Sequence, residues 1–206
     1  MAEASQPSAD DIAYIRHLSE SGARAPLLGG RFLAWWGFLL TVAYLGQHFS
    51  ANGLIGDGKL IFGIIWGSFG LLGMVGQLLL ARGLVGKPGA GSAGNLAMRA
   101  VWIAAACSIG AMVAGTALIS DASVAGVRPW DFIVPVAFAT YACALGVTGS
   151  LADNRILKLA AVVAVIMVAL FTALVAQPAR YLLVAAGVAV TVLLPGLLLM
   201  RAEPKG

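Results

Sequence analysis

Charge is scarce in this sequence. Its 206 residues include 13 Lys and Arg, 9 Asp and Glu and 2 His, so only 11% are charged, where an ordinary soluble domain has roughly 25%. Two cysteines, Cys107 and Cys143, are too few for a disulfide framework. The 26 glycines follow no collagen-like period, and the low polarity rules out a disordered chain. Apolar residues are abundant instead, 60% of the total with a mean hydropathy of +0.93. A compact core of this size has no room for so many apolar side chains, so a bilayer must surround them.

Six apolar runs stand out, at 32–49, 60–81, 98–119, 130–151, 156–176 and 180–200. Each is long enough to cross a hydrocarbon layer of ~30 Å at 1.5 Å per residue. Runs such as 160–175 lack the alternation a β-barrel strand requires. The expected fold is therefore an all-α integral membrane protein, a six-transmembrane-helix bundle over 32–200. A flank at 1–31 precedes it and a tail at 201–206 follows. No extramembrane piece is long enough for a catalytic domain.

Lys and Arg set the expected orientation. Arg16, Arg24, Arg31, Arg82, Lys87, Arg99, Arg155, Lys158, Arg201 and Lys205 fall on one side, against Lys59, Arg128 and Arg180 on the other. The positive-inside rule then places both termini in the cytoplasm. The same bias accounts for the pI near 9.4, which gives no reason to expect nucleic acid. Anionic lipid head groups at the cytoplasmic face are the expected contact. Trp35, Trp36 and Trp102 fall near one membrane surface and Trp66 and Trp130 near the other, as an aromatic belt would. The first run has no small-residue cleavage site and reads as a retained span. The Ala- and Gly-rich texture with short loops suggests a bacterial inner membrane.

Between their ends the spans contain no Asp, Glu, Lys, Arg or His. Ion-coupled pumps place titratable groups inside the bundle, so that class is disfavoured. His17 and His48 fall on opposite sides and cannot share a metal or haem. The formal G-x-G-x-x-G match at Gly89–Gly94 follows a membrane span rather than a strand, and reads as a flexible linker over 83–97. Ser68 has no intramembrane His to serve as its base. No enzyme activity, cofactor or metal is expected. Cys107 and Cys143 fall at similar depth on spans three and four and read as small packing residues, with a thiol switch as the alternative.

What the interior offers is glycine and a thin polar layer. Gly63, Gly67 and Gly70 form a stripe on span two, and Ala106, Gly110 and Ala114 on span three and Ala142, Gly146 and Ser150 on span four repeat the small-residue spacing. The first expectation is intramolecular packing and the second is docking of another membrane protein; either way, Gly67→Leu or Gly110→Leu is expected to disrupt packing. Thr41, Ser108, Thr140, Tyr141 and Thr191 fall near mid-depth, and Pro195 cannot donate to the carbonyl of Thr191. Ser108, Thr140, Tyr141, Thr191 and Pro195 are thus a candidate solute site, unless the hydroxyls bond within their own helices.

In the N-terminal flank, Ser8–Asp11 resembles a capping box, and Ile12, Tyr14, Ile15 and Leu18 gather on one face of an amphipathic helix expected over about 9–21. That face suits a protein partner or the lipid surface. The sequence thus points to a non-catalytic accessory, assembly or regulatory membrane protein, with Ile12, Tyr14, Ile15, Leu18, Gly63, Gly67 and Gly70 as candidate docking residues. A homo-oligomer is compatible with this. The alternative is a passive or facilitated carrier for a small neutral or amphipathic solute.

Overall fold

The computed structural model describes residues 27–203 apart from 57, 85, 88, 120–127, 176 and 178–179. The expected helix at 9–21, with Ile12, Tyr14, Ile15 and Leu18, lies outside the described residues. Those described form α1 (Gly30–Ala51), α2 (Lys59–Arg82), α3 (Ala93–Leu118), α4 (Ile133–Leu151), α5 (Arg155–Ala173), α6 (Arg180–Val188) and α7 (Leu194–Ala202). A 3-10 turn, Pro129–Phe132, leads into α4, and a π turn, Ala189–Leu193, joins α6 to α7 as one continuous helix. No strand occurs among the described residues.

Five of these helical stretches are long and apolar enough to cross a membrane: Lys59–Arg82, Ala93–Leu118, Pro129–Leu151, Arg155–Ala173 and Arg180–Ala202. This is a multi-pass membrane architecture. The stretch α1 has the length, at 22 residues, but Trp35, Trp36, Tyr44, Gln47 and His48 dilute its hydropathy. It is nevertheless central to the packing.

Local chemistry sets the helix ends. Gly53, Gly56 and Gly58 take positive φ in the turn from α1 to α2, where a side chain would be strained. The segment 83–97 is not linker throughout. Ser92 caps α3 by accepting from Asn95 N at 3.4 Å, so that helix begins at Ala93. Between α4 and α5, Asn154 Oδ1 accepts from Leu157 N at 3.1 Å, and Asn154 N donates to Gly149 O at 2.8 Å. That turn is tight enough to lay α5 back along α4.

The helices pack in the order α2, α1, α6–α7, α5, α4, α3, an open series whose two ends are consecutive in sequence yet do not form a packed pair. Backbones approach closely where α1 meets the π turn and α7. A Cβ on Gly37 would lie 2.6 Å from Leu193 N, and one on Gly30 2.7 Å from Leu199 Cβ. A Cβ on Gly196 would collide with the backbone of Leu33 and Ala34. Small residues let helix backbones approach in this way. On the other side Gly149 admits Leu157, whose Cβ would be 2.9 Å from an added methyl, and Phe138 meets Phe171 with ring centroids 4.9 Å apart.

Candidate functional site

The candidate docking glycines face outward. Gly63, Gly67 and Gly70 are exposed, and a Cβ on any of them would meet nothing within 4 Å. Gly110 and Gly115 on α3 are equally open, beside exposed Ala106 and Ala114. This corrects the expectation of intramolecular packing at Gly67 and Gly110. On α2 the glycines that close against the bundle lie one to two turns further on. Gly73 takes the ring of Trp36 and Gly76 that of Trp35, leaving no room for a side chain at either.

The α1–α2 contact is a reciprocal pairing. Trp36 Nε1 on α1 donates to Gln77 Oε1 on α2 at 2.9 Å, and Trp66 Nε1 on α2 donates to Gln47 Oε1 on α1 at 3.3 Å. Both pairs have the same residue-number sum, the signature of one antiparallel register. Between them Trp36, Phe69, Trp66 and Tyr44 form successive edge-to-face contacts at 5.5, 5.6 and 5.1 Å. Trp35, Trp36, Trp66 and Trp102 are therefore partly buried helix-packing groups rather than a simple headgroup belt.

The mid-depth polar layer does not gather into a chamber. Thr41 donates to Gly37 O, Thr140 to Ala137 O and Thr191 to Gly187 O, each at 2.7 Å within its own helix. Thr191 is fully buried, whereas Ser108 lies on the exposed side of α3. Tyr141 is buried between Trp102 and Phe138, at centroid distances of 5.9 and 5.7 Å. Pro195 does not break its helix. The π turn before it shifts the ladder so that Leu194 N reaches Ala189 O, five residues back, and the helix runs on. Cys107 and Cys143 are free and exposed, so they are not core packing residues.

The charged groups sit at the two ends of the bundle. At one end Asp131 pairs with Arg180 across 49 positions, with both side chains mostly buried. Arg180 also donates to Tyr181 Oη at 3.1 Å and to the carbonyl of Val175, while Asp131 Oδ2 accepts from Arg128 N at 2.9 Å. This ties the start of α4 to the start of α6. At the other end Arg31 pairs with Glu203, with Lys87 Nζ 3.8 Å from the same carboxylate oxygen. Among the described residues no group of three His, Cys, Asp or Glu could hold a metal ion.

No protein-family model, curated protein or solved structure matches this chain. Its own geometry must carry the functional reading. Reading the sequence for charge and small-residue spacing passes over Gln47, Gln77, Glu203 and the Gly37–Gly196 seam. The amides were the visible signal, since two glutamines inside apolar helices need partners.

Proposed function

We propose that the protein is a non-catalytic accessory, assembly or regulatory component that binds another membrane protein through the open face of α2. In this reading α1 is a sixth span, the termini are cytoplasmic and the membrane is a bacterial inner membrane. The packing of α1 between α2 and α6–α7 supports the sixth span, and the Lys and Arg distribution supports the orientation.

One observation carries the docking reading. On a single helix, Gly73 and Gly76 are covered by tryptophan rings while Gly63, Gly67 and Gly70 are bare. Lipid chains gain little from an uncovered glycine face, whereas a second helix gains close backbone contact there. The carrier alternative draws less support, because the Thr140 and Thr191 hydroxyls are committed to their own helices. Backbone packing of α1 also fills the neighbourhood of Leu193 and Gly196.

Gly67→Leu tests this. The variant is expected to stay monodisperse with unchanged thermal stability, and to lose a stoichiometric partner that co-purifies with the native chain in a mild detergent. Undiminished association would refute the role of this face. Ligand-dependent stabilisation by a small solute, lost in Tyr141→Phe, would move the assignment to a carrier.

A further inference from the structure

We infer that the end of the bundle holding Glu203 binds an aminophospholipid headgroup, with the lipid phosphate on Arg201 and Lys87 and its ammonium on Glu203. The carboxylate of Glu203 is nine-tenths buried. One of its oxygens, Oε2, is taken by Arg31, with Lys87 nearby; the other, Oε1, is buried with no hydrogen-bond partner. A second buried polar atom of the same ion pair, Arg31 Nε, also lacks a partner. Unpaired buried polar atoms are costly, so one on each member of this ion pair points to a further ligand.

The surroundings say what kind of occupant. A shallow groove of ≈ 490 Å³ opens beside Glu203, lined by Leu197, Met200 and Arg201 as well. Leu197 and Met200 are exposed apolar side chains on the last turns of α7, positioned for an acyl chain, while Arg201 lines the groove and Lys87 lies 3.8 Å from Glu203 Oε2. Arg31 and Lys87 lie at this one carboxylate and Arg201 lines the groove beside it, an excess of cations that favours a phosphate. The free oxygen of that carboxylate requires a donor. A phosphate and a donor on one small headgroup describe phosphatidylethanolamine best, because an ammonium on a carboxylate is a charge-assisted hydrogen bond. Phosphatidylglycerol offers only neutral hydroxyls, and phosphatidylcholine has no N–H.

The test uses the purified full chain in detergent with the three lipids at matched acyl composition, read by native mass spectrometry. Phosphatidylethanolamine is expected to be retained roughly tenfold over phosphatidylcholine, the ratio that one charge-assisted hydrogen bond supplies. Glu203→Gln should abolish that preference. Leu197→Trp, at a position 43% exposed and so compatible with folding, should lower retention of every phospholipid by filling the groove. Equal retention of the ethanolamine and choline lipids would overturn the proposal and leave a trapped water as the occupant. Stronger retention of phosphatidylglycerol would overturn the ammonium–carboxylate pairing. Unchanged retention in Leu197→Trp would overturn the groove, whether or not the Glu203 variant folds.

Discussion

The α1–α7 seam and the outer face of α2 are built from the same residue and behave in opposite ways. At the seam Gly30, Gly37 and Gly196 bring backbones into contact. On α2, Gly63, Gly67 and Gly70 touch nothing. Burial follows the same division: 50% of the most apolar window in Arg180–Ala202 is covered by the protein, against 6% in Lys59–Arg82. Glycine spacing therefore marks where a helix is able to approach another. The neighbour that arrives is decided by the rest of the bundle.

The sharpest way to break this contrast is to add bulk on the closed side. Gly196→Leu drives a side chain into the backbone of Leu33 and Ala34 and should cost at least ~4 kcal/mol, visible as loss of the monodisperse species in size-exclusion chromatography. Gly67→Leu, the same substitution on the open side, should leave that profile unchanged. Comparable damage from both would mean that the α2 face is covered within the chain.

Next comes Arg180→Gln. It leaves Asp131 mostly buried without its cation and should destabilise by roughly 3 kcal/mol in thermal unfolding, with much of the loss recovered in the double variant with Asp131→Asn. Gln77→Leu removes the acceptor for Trp36 Nε1 and should cost about 1 kcal/mol, since hydrogen bonds between membrane helices are individually modest. The smallest effect belongs to the loop between α4 and α5. Lys158 holds the exposed Asp153 carboxyl below the usual carboxylate range, chiefly by its hydrogen bond. The native pKa is the lower one, so this contribution is present at neutral pH and fades only as pH falls below about 4. Lys158→Met should lower stability slightly at pH 7 and leave it unchanged in acid, so that the two profiles converge as pH falls below about 4.

Helix positions were legible because apolar runs and their breaks report the membrane directly. The expected span at 156–176 corresponds to Arg155–Ala173, and that at 180–200 to Arg180–Ala202. The partners of each face were much less legible. Ala106, Gly110 and Ala114 have the spacing of a seam and lie exposed, while Gly37 and Gly196, which form one, have no stronger local signature. Spacing describes one helix surface, and a seam is a property of two. Asp131 and Arg180 lie far apart in sequence, so nothing local announces their pairing. The hydroxyls were the reverse case: Thr140 and Thr191 bond within three or four residues, and sequence-level chemistry anticipated that outcome.

The crossed Trp–Gln pairs bear on how the chain enters a bilayer. With α1 as a span, its Gln47 would carry an unsatisfied amide into hydrocarbon if it entered alone, and the same holds for Gln77 on α2. As a hairpin, each amide arrives already accepting an indole N–H from the opposite helix. The unit that partitions is then residues 30–82 together: the more apolar helix carries the less apolar one, and the short glycine-rich turn between them keeps the two available to each other during synthesis.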